Sequence, residues 1–225
     1  MLPKVNCKLV SWDDVVKWCW RLAEIIKESG WLPDMIVAIS RGGVVPARLL
    51  CDYLCVSDMM TIQVIHWPTA AEVSEKAKVK YPLKLDLSGK KILLVDDIAD
   101  TGDSIILAKK TLEADCKPAE VRVATMQWIS PVCKIKPDYF VDEVKEWIWY
   151  QYPWTRLEDI IGFIRRLFKE GGKETWSLKE IADAFPEWYG LSYGEEWYKA
   201  ALKWLVERGE LEEVNGRFKA TEKLR

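Results

Sequence analysis

The stretch Lys91-Ile92-Leu93-Leu94-Val95-Asp96-Asp97-Ile98-Ala99-Asp100-Thr101-Gly102-Asp103-Ser104 decides the fold. The apolar run after Lys91 predicts a buried strand of the kind found in parallel sheets. Small and polar residues follow, and beyond them apolar residues recur at helical spacing from Ile105 to Leu112. This order of strand, loop and helix puts the loop at the carboxyl end of the strand, where open α/β sheets bind ligands.

The loop has the chemistry of a phosphate cradle. Gly102 lets the backbone approach a ligand, and N–H groups at the start of a helix point at an anion. Thr101 and Ser104 add hydroxyl donors, and Asp103 is predicted to cap the helix. The two adjacent carboxylates at the end of the strand repel phosphate but suit vicinal hydroxyls, a magnesium ion or positive charge on a sugar. An acidic surface turn is the alternative, but burying two carboxylates without a ligand is costly. We therefore expect a sugar phosphate as the ligand.

A second segment able to bind an anion follows an earlier predicted strand. The apolar run at 35–39 ends at Ser40-Arg41-Gly42-Gly43. The two glycines expose N–H groups, and Arg41 can bind phosphate oxygens through its guanidinium. A tight turn between a strand and a helix would contain the same glycines. On these residues alone the two interpretations are equally supported.

Residues 95–104 resemble the phosphoribosyl pyrophosphate motif of the type I phosphoribosyltransferases. The resemblance implies that Asp96 and Asp97 hold the ribose hydroxyls, with a magnesium ion at Asp97. It places Asp100 where the purine enzymes have an acid facing N7 of the base. It implies that the 5′-phosphate is bound by the rest of the loop, which comprises Ala99, Thr101, Gly102, Asp103 and Ser104. It also implies that Arg41, Gly42 and Gly43 form the pyrophosphate loop.

The segment 147–154 resembles the base-binding hood of purine phosphoribosyltransferases, in which an aromatic ring stacks on the base. Counting forward from Tyr139 selects Trp147 as the stacking ring, whereas counting back from Pro153 selects Trp149. Both assignments remain open. The edge of the base would be bound by backbone groups, namely those of Ile148 or Tyr150.

The identity of the base depends on a lysine. Enzymes for 6-oxopurines in this family have a lysine just after the strand that follows the ribose-phosphate motif, where it donates to O6. Residues 126–131 contain no lysine, and the next one is Lys134. A lysine only donates hydrogen bonds, so its absence favours adenine, whose 6-amino group needs an acceptor. The alternative is that Lys134 reaches round the turn at Pro131, which would make the substrate hypoxanthine, guanine or xanthine.

The composition excludes several classes of protein. The 225 residues contain 33 Lys and Arg against 35 Asp and Glu, a formal net charge of -2 that gives no reason to expect nucleic acid or an anionic membrane as partner. No apolar run approaches the roughly 20 residues of a membrane span, so we expect a cytoplasmic protein. The single histidine and six cysteines without a C-x-x-C pair disfavour zinc enzymes and hydrolase triads.

A long polar segment, residues 67–87, follows the strand predicted at 60–65. Loops of this length are usually functional or disordered. The resemblance implies a mobile loop that closes over the pyrophosphate, to which the lysines of this segment can add positive charge.

The last seventy residues have a different pattern. Three amphipathic helices and a hairpin with a tight Asn215-Gly216 turn outline a winged-helix module. Residues 156–225 contain 13 Lys and Arg against 14 Asp and Glu. DNA binding needs clustered positive charge, so a structural or dimer-forming role is favoured over DNA binding.

We therefore predict an α/β fold with a parallel sheet and helices on both faces for residues 1–155, and a winged-helix-like domain for residues 156–225. The resemblance implies a purine-salvage enzyme, expected to be a homodimer, that joins a purine base to phosphoribosyl pyrophosphate with Mg²⁺ as cofactor and no membrane partner. Asp100 would exchange a proton with N7. The alternative is a regulator that senses phosphoribosyl pyrophosphate without catalysis and binds DNA through the winged helix.

Overall fold

The computed structural model describes residues 5–65 and 77–224. These residues form two compact units. We call residues 12–65 and 77–147 the sheet unit, and residues 5–11 and 148–224 the terminal unit, because it combines both ends of the described chain. The domain boundary predicted at residue 155 stays a prediction.

The elements alternate between strand and helix through most of the chain. In chain order they are β1 (Cys7–Leu9), α1 (Trp12–Glu28), β2 (Met35–Ser40), α2 (Val44–Tyr53), β3 (Met59–Ile65), β4 (Lys78–Tyr81), β5 (Lys91–Val95), β6 (Ile98–Ala99), α3 (Asp103–Cys116), β7 (Glu120–Ile129), β8 (Tyr139–Val144), β9 (Trp149–Gln151), α4 (Arg156–Glu170), β10 (Thr175–Ser177), α5 (Leu178–Tyr189), α6 (Glu195–Glu207), β11 (Leu211–Val214) and β12 (Arg217–Ala220).

The sheet unit contains a seven-stranded sheet in the order β4-β3-β2-β5-β7-β6, with β8 also paired to β7. Every pair in it is parallel except β3–β4, which is antiparallel. The predicted parallel sheet is therefore confirmed. Strand β4 corrects the prediction of a polar loop at 67–87, because four of those residues extend the sheet beside β3. Residues 67–76 of that segment lie outside the described residues.

Side chains of the central strands alternate between two apolar cores. On β5, Ile92 and Leu94 join a cluster with the buried face of α3, whereas Leu93 and Val95 join a cluster with α1 and α2. Successive residues of a strand point to opposite faces, so an unbroken apolar run needs cover on both sides. The prediction of helices on both faces is confirmed.

The terminal unit contains two small sheets and three helices. Strands β1 and β9 pair in parallel, and β10, β12 and β11 form an antiparallel sheet in that order. Asn215 and Gly216 both have left-handed backbone, with φ of 52° and 73°, as the tight turn between β11 and β12 requires. Strand β9, at Trp149–Gln151, lies in register with β1.

Among the described residues, the longest helices lack the length and apolarity needed to cross a bilayer.

Helix α5 supplies a test of local stability in the terminal unit. Ser177 accepts the N–H of Glu180 at 3.2 Å, and the Glu180 carboxylate accepts the N–H of Ser177 at 2.8 Å, so the two residues form a capping box. We expect Ser177→Ala to lower the free energy of unfolding by about 1 kcal/mol. Urea unfolding followed by circular dichroism measures this, with Ser57→Ala at an exposed loop position as the control. Equal stability of the two variants would contradict the prediction.

Candidate active site

The two predicted anion-binding loops meet at one edge of the sheet. Strands β2 and β5 are parallel neighbours, with Ala38 beside Val95, so their carboxyl ends lie side by side. A Cβ atom on Gly43 would stand 2.3 Å from the carbonyl oxygen of Val95, and one on Gly42 would stand 2.3 Å from the Oδ2 atom of Asp97. Real Cβ atoms do not come this close, and the opposing atoms at Gly43 are backbone. Only glycine therefore fits, and the loop packs directly against the acidic pair.

Backbone hydrogen bonds fix the two carboxylates. The N–H of Asp97 donates to Asp96 Oδ1 at 3.0 Å, and the N–H of Ile98 donates to Asp97 Oδ1 at 2.9 Å. Burial raises the pKa of Asp96 well above its ordinary value, and the neighbouring Asp97 carboxylate raises it further. A positive charge placed beside this pair would favour the ionised form. The acids thus suit a cation or an electron-poor sugar carbon.

The segment predicted to bind phosphate connects β6 to α3. Ala99 is buried in the two-residue strand β6, and Gly102 has left-handed backbone with φ of 82° just before α3 begins. The first amides of a helix have no acceptor within it, so they are available to an anion. A Cβ on Gly102 would stand 2.8 Å from Ile135 Cγ2 and 3.0 Å from Cys133 Sγ. The loop therefore packs closely on residues 133–135, while Thr101 and Ser104 are half-buried beside it.

The prediction that Asp103 caps α3 is wrong. The N-cap residue is Gly102, with no side-chain cap, and Asp103 is the first residue of the helix. Its carboxylate instead accepts two hydrogen bonds from the Lys134 ammonium, at 2.6 Å to Oδ1 and 2.9 Å to Oδ2. The backbone N–H of Lys134 donates to Thr101 O at 2.9 Å. Lys134 is therefore held at the phosphate cradle.

Asp100 is joined to one of the two candidate stacking rings. The indole N–H of Trp147 donates to Asp100 Oδ1 at 3.2 Å, within the sheet unit. Trp149 lies on β9 of the terminal unit. Ile148 and Tyr150 also belong to the terminal unit. No feature of the sequence could have indicated the bond between Trp147 and Asp100, because 47 residues separate the two.

Two predicted features of the site remain, the guanidinium of Arg41 and the metal site at Asp97. Arg41 is exposed at the end of β2. The described residues contain no group of three or more His, Cys, Asp or Glu side chains that could hold a metal ion. A divalent cation at Asp97 would therefore need most of its ligands from elsewhere.

Comparison with known proteins identifies the family. The phosphoribosyl transferase domain family matches residues 9–155. The hypoxanthine-guanine phosphoribosyltransferase of Saccharomyces cerevisiae is 26% identical over 204 residues, which cover 72% of this chain and 91% of that protein. The xanthine-guanine phosphoribosyltransferase of Nitratidesulfovibrio vulgaris is 29% identical, over 64% of this chain and 82% of that protein. A solved purine phosphoribosyltransferase of Pyrococcus horikoshii superposes with a TM-score of 0.55 at 28% identity, over 65% of this chain and 92% of that one. The chain therefore belongs to the phosphoribosyltransferase family and is a pentosyltransferase.

Proposed function

We propose that the protein transfers the phosphoribosyl group from phosphoribosyl pyrophosphate to a purine base and releases pyrophosphate. The observation that carries this proposal is the contact of Gly42 and Gly43 with the acidic pair Asp96 and Asp97. This contact places the amides of the glycine loop, which can donate to a pyrophosphate, within a few ångströms of the carboxylates, which can accept from ribose hydroxyls. The names of the purine-specific relatives support the choice of base class.

Different residues of the site bind different parts of the substrate. Amides at the start of α3, with Thr101 and Ser104, hold the 5′-phosphate. Asp96 and Asp97 accept hydrogen bonds from the ribose hydroxyls. As N9 of the base attacks C1′ and the C1′–O bond to pyrophosphate breaks, positive charge develops on the ribose, and the acidic pair stabilises it. Arg41 and the two glycines hold the leaving pyrophosphate.

Asp100 acts on the base. Its carboxylate takes the proton that N7 loses as N9 forms the new bond, so the product leaves as a neutral purine ring. Trp147 holds the carboxylate in one orientation through its indole N–H. For this reason we assign Trp147, and not Trp149, to the face of the base.

The donor set fits a magnesium ion that arrives with the substrate. Mg²⁺ keeps several waters and is usually bound through one or two carboxylates and substrate phosphates. Asp97 would supply such a carboxylate, and the raised pKa of Asp96 indicates an environment that positive charge would stabilise. The ion would supply charge neutralisation at the pyrophosphate.

Two candidate bases follow from different observations. The relatives named for hypoxanthine, guanine and xanthine favour a 6-oxopurine, and this is our first candidate. The pairing of Lys134 with Asp103 favours adenine, because it holds the nearest following lysine at the phosphate cradle and away from a donor role toward O6.

The terminal unit is proposed to be a winged-helix-like module with a structural role. Its three helices and the antiparallel sheet of β10, β12 and β11 support that assignment. Arg217 pairs with Glu180 and Lys219 pairs with Glu174, each at 2.7 Å, so the cations of the hairpin are neutralised. These pairs leave little positive charge for a phosphate backbone. The homodimer implied by the resemblance stays a prediction.

The acidic pair is tested by Asp97→Asn. We expect the variant to fold and its turnover to fall by well over tenfold, since roughly 1.4 kcal/mol of lost transition-state stabilisation already costs tenfold. Steady-state rates with phosphoribosyl pyrophosphate and a reactive purine measure the loss. Asp115→Asn, at an exposed position near the end of α3, is the matched control and should react like the wild type. If folded Asp97→Asn turned over as fast as the wild type, the proposal that the acidic pair binds the ribose would be wrong.

The base is tested by parallel rates with adenine, hypoxanthine, guanine and xanthine. We expect at least one 6-oxopurine to react faster than adenine. Lys134→Met tests the role of this lysine: if Lys134 only neutralises Asp103, the variant weakens binding of phosphoribosyl pyrophosphate and leaves the order of bases unchanged. Exclusive reaction with adenine would instead support the second candidate.

The role of the terminal unit is tested with a mixed-sequence DNA duplex at moderate salt. We expect negligible binding in a fluorescence anisotropy titration, because the hairpin cations are paired with carboxylates. Tight binding that weakens steeply as salt is added would show neutralisation of several phosphates and would favour the regulator.

A further inference from the structure

The loop proposed to hold the 5′-phosphate contains an excess of negative charge. Residues 96–104 include four Asp and neither Lys nor Arg. One of the four, Asp103, is the first residue of α3, at the end of the helix whose backbone amides would bind a phosphate. A carboxylate at this position stabilises the helix but repels a phosphate. A phosphate site here therefore needs a cation from another part of the chain.

Lys134 brings a positive charge to this position. Its ammonium nitrogen lies 2.6 Å from Oδ1 and 2.9 Å from Oδ2 of Asp103. The Lys134 side chain is 62% exposed and that of Asp103 is 29% exposed, and an ion pair with this much exposure adds little to stability. Because the gain in stability is small, the pair needs another explanation. Its place beside the phosphate loop supplies one.

The backbone of Lys134 is fixed against this loop. Its N–H donates to Thr101 O at 2.9 Å, and the thiol of the neighbouring Cys133 donates to Ile135 O at 3.0 Å. Cys133 Sγ and Ile135 Cγ2 lie so close to Gly102 that a Cβ atom there would stand 3.0 and 2.8 Å from them. The residues on both sides of Lys134 therefore hold it at the loop. A side chain that is anchored in this way loses less freedom when it binds a ligand.

The ammonium has enough donors for both Asp103 and a phosphate. A lysine carries three N–H groups, and the two oxygens of Asp103 accept two of them. The third can donate to a phosphate oxygen at the start of α3, beside the backbone amides and the half-buried hydroxyls of Thr101 and Ser104. A charge-assisted hydrogen bond of this kind is stronger than one between neutral groups.

We propose that Lys134 binds the 5′-phosphate of the substrate directly and that Asp103 positions its ammonium. This proposal rests on the proposed function and adds a ligand-binding residue to it. It differs from neutralisation alone, in which Lys134 would only cancel the charge of Asp103. A residue 31 positions after Asp103 thus supplies the positive charge that the loop itself lacks.

Binding of phosphoribosyl pyrophosphate to a single and a double variant separates the two roles. Both roles predict that Lys134→Met weakens binding, and we expect the dissociation constant measured by isothermal titration calorimetry to rise at least about tenfold. The double variant Asp103→Asn with Lys134→Met has the same net charge as the wild-type pair. We expect it to bind about fivefold or more weakly than the wild type, because it has lost the ammonium that donates to the phosphate.

Three comparisons complete the test. Lys134→Arg should keep most of the wild-type affinity, because it retains a charged donor. Lys136→Met is the matched control, since it removes an exposed lysine of the same segment whose ammonium lies 5.3 Å from the centroid of the Trp128 ring, and it should bind as the wild type does. Inorganic pyrophosphate, which has no 5′-phosphate, should bind equally to Lys134→Met and to the wild type.

Wild-type affinity of the double variant for phosphoribosyl pyrophosphate would overturn direct binding and leave only neutralisation. Equal losses of affinity for phosphoribosyl pyrophosphate and for pyrophosphate in Lys134→Met would also overturn it, because the effect would not depend on the 5′-phosphate. Circular dichroism confirms that each variant is folded. A wild-type protein that binds phosphoribosyl pyrophosphate but reacts with no purine base would instead reject the proposed function and would not affect the role of Lys134.

Discussion

The close approach of Gly43 to the backbone of Val95 and Asp96 is the constraint on which the site depends. Two parallel neighbouring strands end together, and the loop after one packs on the carboxylates after the other. Any side chain at Gly43 would force these strand ends apart. The contact therefore places groups that bind anions beside groups that repel them, and a ligand with a pyrophosphate and a polyol meets both demands at once.

The regular part of the fold could be predicted because its causes are local. Unbroken apolar runs predict strands that are covered by helices on both faces. On β5, Ile92 and Leu94 pack into one core, and Leu93 and Val95 pack into the other. The strands that sequence reasoning missed are β1, β4, β6 and β10, of two to four residues each. The partners of β1, β6 and β10 lie far along the chain, and all four strands are too short for their own residues to contain a pattern that indicates a strand.

The residue types of the site could be predicted from the sequence, whereas several of its contacts could not. The acids, glycines and hydroxyls of residues 96–104 lie in one loop, so their proximity follows from sequence. The prediction for Asp103 failed because its partner, Lys134, comes from a segment that packs on Gly102. Capping rules consider only the helix itself and cannot include a distant ammonium group. The bond from Trp147 to Asp100 has the same non-local origin.

These contacts distinguish four carboxylates that look alike in sequence. Lys134 neutralises Asp103, and a carboxylate in the first turn of α3 would otherwise repel the phosphate for which that helix end is suited. The indole of Trp147 binds Asp100 without adding charge, so Asp100 keeps its capacity to accept a proton. Asp96 and Asp97 accept backbone N–H groups, which hold them rigid while leaving their mutual repulsion in place. In the proposed reaction each acid thus has the donor that its step requires: an ammonium beside phosphate, a neutral donor beside the base, and backbone amides where positive charge develops.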